Sequence, residues 1–590
     1  MKSKLFTCLA LLLLSMSLMA QTKKVSGTVV DEMGPVAGVS VIEKGTQNGA
    51  VTDLDGKYSI NVPQGATLVI TSIGYKDVEL LVGSQNVYNA TLQEDRQLLD
   101  EVVVVGYGTM KRSDLSGASV SMSEESIKGS IVSSLDQTLQ GRAAGVTAVQ
   151  TSGAPGSSSS IRVRGQATIN ANAEPLYVID GVIVQGNGAS GASFGLGDAL
   201  GNGTVSTISP LSTINPADIV SMEILKDASA TAIYGAQAGN GVVLITTKMG
   251  SADKGRASVT YSGKSTLQMY NKRPVMNRNE FLEYMNMTFG AEDVKSQLAN
   301  YDYSHSMYED GIIDTDWIGA YTDPTWSQQH SVTFSGGNNR GSFFTSLNYV
   351  HNNGVVAGDK DVYKRLSAQI NADYKLFDWL TVGSNLSMEK WSSQSVSQRG
   401  YGSSFDSMLV LDPLTPVYWT TIDEMAPVMR AEYDKVQAGT AGAPYRFFGD
   451  ENGFFANTQY NPESEGSPFA KRDQSESTNG GFTMRGTMFM NLTPFKGFTF
   501  TSRLGYRISQ SSSHSYSSPY YINGRANSTN YSISAGANTG YYYQWENFAN
   551  YNTTIARKHN ISAMAGMSYS WRSNYDVRAS IAGTGLDNLG

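Results

Sequence analysis

Catalytic and metal chemistry requires particular residue types at particular spacings, so those residues come first. The chain has five histidines, His305, His330, His351, His514 and His559. No two of them stand at a metal-ligand spacing, and all fall in or beside segments that read as loops, turns or strand ends. No nucleophile elbow or Ser-His-Asp signature is present. The one cysteine, Cys8, lies in an apolar N-terminal segment. Beyond that segment the chain offers no thiol nucleophile, no disulfide and no cysteine metal site. Asp53-Leu54-Asp55-Gly56 opens like a calcium loop, but Gln64 stands where a bidentate Glu would be needed, so the segment reads as a hairpin turn. Gly235 to Gly241 is Gly-rich, yet it lacks the Lys-Ser/Thr ending of a phosphate loop and reads as a tight turn. The expectation is a protein that is not an enzyme, with no metal and no cofactor.

Two other groups of residues could act by binding. Glu101-Val102-Val103-Val104-Val105-Gly106 contains four consecutive valines, whose branched side chains favour an extended backbone. Its flanks are polar and Gly-rich. It could be a buried strand, or a strand offered to the sheet edge of another protein. Residues 391–480 are rich in aromatics, among them Trp419, Tyr445, Phe447 and Phe448. Such rings, with Asn, Asp and Gln nearby, suit sugar contact, protein docking or packing of the loop itself.

The surrounding elements must position these groups. The chain has 590 residues, 16% charged, with 60 glycines and 32 tyrosines. That is a β-rich profile with many turns. A net charge of -8 without a long basic run gives no reason to expect nucleic acid. Residues 1–20 have the basic start, short apolar run and small-residue end of a secretory signal peptide. No later apolar stretch is long enough for a membrane helix, so a membrane form must be a β-barrel.

Within 21–95, runs at 25–30, 39–42, 58–62, 68–72 and 78–82 are separated by turn residues and predict a small β-sandwich. From residue 257 alternation is regular. In 366–376 one face reads Leu366, Ala368, Ile370, Ala372, Tyr374, Leu376 and the other Ser367, Gln369, Asn371, Asp373, Lys375. The same pattern predicts strands at 257–269, 327–335, 342–350, 380–390, 482–492, 498–508, 543–556 and 561–571. The strong runs are about 11 residues, enough to cross a bilayer when tilted. Tyr374, Trp379, Tyr506 and Trp571 sit near strand ends, as girdle aromatics do. Long connections (270–326, 391–480, 509–542) alternate with tight ones (336–341, 377–379, 493–497), which puts 391–480 on the outer side.

Several stretches resemble known families. The pattern Gly27-Thr28-Val29, Gly38-Val39-Ser40-Val41 and Thr52-Asp53-x-Asp55-Gly56-x-Tyr58 resembles the carboxypeptidase-regulatory-like domain, a non-catalytic sandwich. Asp100 to Gly108 resembles the TonB-box region of SusC/RagA-type TonB-dependent transporters. Leu139 to Val146, Ile161 to Gly165, Pro175 to Val182, Asn215 to Ile219, Met222 to Gly235 and Asn240 to Lys248 resemble that family's plug. The implied organisation is signal peptide 1–20, sandwich 21–95, TonB-box region and linker 96–125, α+β plug 126–250 and partial antiparallel barrel 251–590.

The family has 22 strands, and about nine are counted here. An open nine-stranded sheet would leave unpaired edges in lipid, so the expectation is an N-terminal fragment of a longer chain. The resemblance further implies an outer-membrane location, with the N-terminal domain in the periplasm. It implies active import of a large nutrient, an oligosaccharide foremost or a peptide. The partners it implies are a TonB energy-coupling protein pairing with Glu101 to Gly106, a SusD-like lipoprotein, the nutrient and outer-membrane lipid. A surface-binding or adhesive protein without transport is the alternative, and a signal transducer of the same architecture is a second.

Overall fold

A computed structural model describes most of the chain between Thr22 and Gly583. Residues 1–21, 93–101, 112–118, 124–134, 166–173, 185–210, 251–256, 299–312, 397–402, 459–465, 584–590 and some shorter gaps lie outside the described residues. The expected signal peptide, residues 1–20, and Glu101 and Gly106 of the tag are among those outside. Two compact units are present, Met1–Ser116 and Gly117–Gly590.

Among the described residues the first unit contains three small sheets. β1 (Thr22–Val30) is flanked by β4 (Lys57–Pro63) and β7 (Ala90–Thr91). The second sheet has the order β3 (Gly49–Val51), β2 (Ser40–Glu43), β5 (Thr67–Thr71) and β6 (Val78–Leu81). The period-2 pattern seen in the sequence puts Val25, Val29, Val41, Val62, Leu68 and Ile70 into one fully buried core. Asp53 does not make a hairpin turn, because β3 and β4 belong to different sheets. It makes the corner between them. Its Oδ1 accepts from the N–H of Asp55 at 3.0 Å and of Lys57 at 2.8 Å, and Gly56 takes φ 71°. Further along, β8 (Val102–Val105) pairs antiparallel with β9 (Gly108–Lys111).

The second unit opens with a five-stranded sheet of order β10-β15-β16-β13-β14. Its members are β10 (Ser119–Ser123), β13 (Leu176–Ile179), β14 (Val182–Val184), β15 (Ile219–Leu225) and β16 (Val242–Thr247). β10 lies inside the stretch that the sequence assigns to the linker, yet it pairs along Ser119–Ser123 with Leu225–Ser221. Helix α1 (Leu135–Thr138) and the hairpin of β11 (Val146–Gln150) and β12 (Ser159–Val163) complete this plug. The core gathers Leu135, Leu139, Ile161, Tyr177, Ile179, Ile224, Val243 and Ile245. β13, β15 and β16 are buried along most of their length, and β13 runs parallel to β16. That explains why they read as apolar runs without alternation. Gly235, at φ 68°, kinks the helical segment Ala232–Ala238, so the expected tight turn is in large part helical, and Gly241, at φ 91°, leads into β16.

The nine-stranded sheet is a plain antiparallel meander: β17 (Ser258–Gln268), β18 (Thr325–Gly337), β19 (Gly341–Asn353), β20 (Val362–Phe377), β21 (Leu380–Gln394), β25 (Ser475–Leu492), β26 (Phe498–Ser517), β29 (Tyr531–Ile555) and β30 (His559–Gly583). The small strands β22 (Tyr418–Trp419), β23 (Gly449–Asp450), β24 (Gly453–Phe455), β27 (Tyr520–Tyr521) and β28 (Asn527–Ser528) belong to the long connections.

All nine predicted strands are present, but the expectation of about 11 residues each fails for the later ones. β29 and β30 have 25 residues each. The extra length lies at the long-connection end, because the other ends meet in tight turns. A strand needs only ~9–11 residues to cross lipid. The surplus is therefore held by strand pairing outside the bilayer, and much of the predicted 509–542 loop is sheet. On β20 the apolar face is outward, with Leu366, Ile370, Tyr374 and Leu376 all exposed, while Ser367, Gln369 and Asn371 are buried. This inside-out pattern is that of a barrel wall in lipid. Phe377 stacks on Trp379 at 5.4 Å and Phe495 on Phe498 at 5.0 Å, both at the tight-turn rim.

Candidate functional site: the plug seat and the outer loops

The polar residues on the inner wall face the plug, and they hold it by hydrogen bonds. Three plug segments make the seat. The first is Asn215-Pro216-Ala217-Asp218. Asn215 caps the short turn that follows, accepting from the Ala217 N–H at 3.2 Å, with Pro216 at the first position. Its side-chain amide donates to Asn348 of β19, and Gln329 of β18 donates to its oxygen at 3.4 Å. Asp218 Oδ2 accepts from the Ser346 hydroxyl at 2.6 Å and from Asn348 Nδ2 at 3.0 Å. Burial pushes the Asp218 carboxyl up, while these hydrogen bonds and the charges of Lys248 and Arg365 hold it down.

The second segment is the end of β16. Asn371 of β20 donates to Thr247 Oγ1 at 2.7 Å and to the Lys248 carbonyl at 2.6 Å. Thr247 in turn donates from its N–H and hydroxyl to the two oxygens of Asp180, at 2.9 and 2.8 Å. The third segment is the two-residue turn Asp180-Gly181 between β13 and β14. Its φ values, 48° and 84°, are both positive, as the type I′ hairpin turn requires. Gln544 of β29 donates to the Gly181 carbonyl at 3.2 Å. The guanidinium of Arg503 on β26 lies so close that a Cβ on Gly181 would come within 2.2 Å of it. Arg503 is itself held by Glu546, at 2.8 Å from Nε. Burial pushes the Asp180 carboxyl up, opposed by its bonds to Thr247 and by the charges of Arg485 and Arg503.

No role is assigned in the sequence to Asn215, Asp218, Thr247, Asp180 or Gly181, although all lie in stretches that resemble the plug. One signal was present. Asp180-Gly181 stands between Tyr177-Val178-Ile179 and Val182-Ile183-Val184, the pattern of a two-residue hairpin. The partners on the wall carry no such signal beyond being polar.

The outer loops are organised differently. They contain α2 (Arg278–Phe289), α3 (Ala291–Leu298), α4 (Trp317–Tyr321), α5 (Ser404–Val410), α6 (Pro427–Gln437) and α7 (Pro468–Asp473). One apolar cluster joins Trp317, Tyr321, Met408, Phe448, Phe455 and Phe469. A second joins Trp419, Met425, Met429 and Tyr521. Tyr321 meets Phe469 edge-on at 5.3 Å, and Phe455 stacks on Phe469 at 5.2 Å. Arg472 lies 5.3 Å from the Phe469 ring and donates to the Ala357 carbonyl at 2.6 Å. Asp412 is buried, which pushes its carboxyl up; the hydroxyls of Thr458 and Thr415 and the Leu414 N–H donate to it. Its carbonyl takes the Trp317 indole N–H at 2.9 Å.

This geometry corrects part of the sequence reading. Trp419 is 0% exposed and Phe448 3% exposed, so neither presents a surface to a ligand or partner. They are the packing core of the loops. Tyr445 and Phe447 are half-buried, leaning on Tyr521 at 5.7 and 6.2 Å. Of the tag, Val102 to Val105 form one strand of a hairpin.

Residues 25–104 match the model of the CarboxypepD_reg-like domain, and residues 111–242 match that of the TonB-dependent Receptor Plug Domain. Over 418 residues the chain is 34% identical to the TonB-dependent receptor SusC of Bacteroides thetaiotaomicron, covering 70% of this chain and 38% of that protein. It is 30% identical over 563 residues to the TonB-dependent receptor P39 of Formosa agariphila, covering 94% of this chain and 47% of the relative. The solved structure of the RagAB peptide importer in its open-open state is similar with a TM-score of 0.61 and 26% identity, over 83% of this chain and 51% of that chain. The chain thus spans about half the length of P39 and of that structure.

Proposed function

The chain belongs to the SusC/RagA-type TonB-dependent receptors of the outer membrane, and from that premise we propose that it acts in active import of a large nutrient. The observation that carries this reading is the plug, seated on the barrel wall through side chains of Asn215, Asp218 and Thr247. A wall that grips a plug in this way does not suit a free-running porin. Polar grips can be exchanged for water at modest net cost, so an input of work can release them. Energy would come from a TonB-type protein that pairs with the strand Val102 to Val105, as Glu101 to Gly106 resembles the box it engages.

The backbone refines how that pairing would occur. A two-residue loop closes on a hydrogen-bonded pair, here Val105 and Gly108. The N–H groups of Val103 and Val105 then face β9, and those of Val102 and Val104 face away from it. Among the described residues no strand pairs with that outward edge, the one that would receive a partner strand.

A SusD-like lipoprotein is the proposed outer partner, with Tyr445 and Phe447 as candidate contacts for it or for the nutrient. The proposed nutrient is an oligosaccharide, the class that the family resemblance implies foremost. A peptide is the second reading, favoured by the likeness to a structure described as a peptide importer.

The test is replacement of both Val103 and Val104 by proline in the full-length receptor. This removes one N–H from each edge of the strand. Uptake should fall to background while the amount of receptor in the outer membrane stays normal. Uptake that continues would leave the surface-binding reading in place of transport.

A further inference from the structure

The outer face of the wall, turned to lipid, is built from alternate residues and changes character at one end. On β20 it climbs from the tight-turn rim through Tyr374, Ile370 and Leu366, and then reaches Lys364. On β21 it climbs through Leu386 and Met388 to Lys390, and on β19 through Leu347 and Tyr349 to His351. Both lysines are exposed and His351 is partly so. No Asp or Glu stands on this face of β18, β19, β20 or β21.

The strand register brings the three groups together. Lys364 stands directly opposite His351. Lys390 stands directly opposite Leu366, the outward residue next to Lys364. The two lysines are therefore diagonal neighbours on adjacent strands, roughly 7–8 Å apart. Among the described residues neither has an ion pair. Their height is that of the outer membrane surface. From Leu380 at the rim to Lys390 is a climb of about ten residues, ~33 Å along the strand and about 25 Å across the bilayer at a tilt of about 40°.

One lysine at this height needs no ligand, because its stem can lie on the apolar wall with the ammonium in water. Two on neighbouring strands beside an imidazole, with no acid on the face to balance them, make a place for one anion with several acceptor oxygens. The wall below decides what that anion is attached to. Leu366 is 49% exposed, Ile370 41% and Leu347 53%. A soluble anion would gain nothing from these side chains, whereas acyl chains would cover them.

We propose that Lys364, Lys390 and His351 hold the phosphorylated headgroup of one outer-leaflet lipid, whose acyl chains lie along the wall beneath. The ammonium groups bind phosphate as point charges, and a ring N–H of His351 can donate to a further oxygen. A lipid fixed there pins the height of β19 and β20, the two strands joined by the loop at 354–361. The proposal rests on the outer-membrane location of the barrel and is independent of import.

The test uses the full-length receptor, stripped of lipid in a neutral detergent, with monophosphoryl lipid A as the probe and native mass spectrometry as the readout. One lipid should bind per barrel. Lys364→Gln combined with Lys390→Gln should weaken that binding about thirtyfold. Lys364→Arg combined with Lys390→Arg should keep it, which separates the charge from any damage to the fold. If the glutamine pair fails to reach the membrane, Lys390→Gln alone should weaken binding about fivefold. The dephosphorylated lipid should bind wild type and variants alike. Equal affinity of wild type and the glutamine variants for the phosphorylated lipid would overturn the proposal. So would displacement of the lipid by millimolar inorganic phosphate, which would make this a site for free anions. Binding is measured without energy or cargo, so a negative result leaves the import reading standing.

Discussion

The plug seat and the outer loops are both buried, but opposite chemistry buries them. The loops close on Trp419, Phe448, Phe455 and Phe469, rings that water cannot replace. The seat closes on Asn215, Asp218, Thr247 and Asn371, whose bonds water can replace one for one. An apolar core gains its stability from area removed from water, so opening it is expensive at every step. A polar interface gives back in solvation most of what it loses in contacts. The two regions therefore suit different tasks: the loops make a fixed surface, and the seat can let go and re-form.

The sharpest way to break this comparison is to truncate one member of each region and look for effects in the wrong place. Trp419→Ala should cost about 3–5 kcal/mol locally, the usual range for a buried Trp. Hydrogen exchange across 418–456 should quicken, while the urea midpoint for plug release stays put. A shifted plug midpoint would show that the regions are not independent.

Asp218→Ala should do the converse. It removes the acceptor of Ser346 and Asn348 and leaves Arg365 facing no plug carboxylate, an expected loss of about 2–3 kcal/mol from the seat. Protease cleavage of the plug in urea should begin earlier, with the loop amides unchanged. Asn371→Leu should act in the same direction but less, about 1–2 kcal/mol, because Thr247 Oγ1 keeps Gln369 as a donor at 3.4 Å while the Lys248 carbonyl loses its donor and Gln369 loses the Asn371 oxygen.

A further effect concerns pH and belongs to the loops alone. Burial pushes the Asp361 carboxyl up from 3.8 to about 7, against the pull of the Val356 N–H, which donates to it at 3.2 Å. The folded loop then holds a proton that the open chain has lost between those two values. Its contribution is present in full below pH ~4 and is lost as pH rises toward ~7. Exchange of the 354–361 amides, corrected for the intrinsic rate, should be slower at pH 5 than at pH 8. Asp361→Asn should flatten that difference. A pH dependence that survives in Asp361→Asn would point to another group.

Much of this architecture was legible because it rests on local rules. Alternation of Leu366, Ala368 and Ile370 with Ser367, Gln369 and Asn371 is enough to give a strand with two unlike faces. Asp180-Gly181 between β-branched runs is enough to give a tight hairpin, since both residues tolerate positive φ. The extension of β29 and β30 past the bilayer was missed, because the alternating face of Ile533, Ala535 and Ala537 is built mostly of small residues and gives a weak signal, and the segment is held by pairing with the strands beside it.

Tertiary structure alone decided which aromatic side chains are surface and which are core. Trp419 and Tyr445 look alike as loop aromatics, yet Trp419 is a fully buried member of the cluster with Met425, Met429 and Tyr521, while Tyr445 packs against that cluster from its edge and stays half-buried. It also decided which polar residues meet. Asn348 reaches Asp218 across 130 positions and Asn371 reaches Thr247 across 124. The sequence determined the two faces of each wall strand, since the backbone alternates at every residue. Only the closing of that wall around the plug chose each polar side chain's partner, because a hydrogen bond depends on ångström-scale distances between segments that the order of residues does not specify.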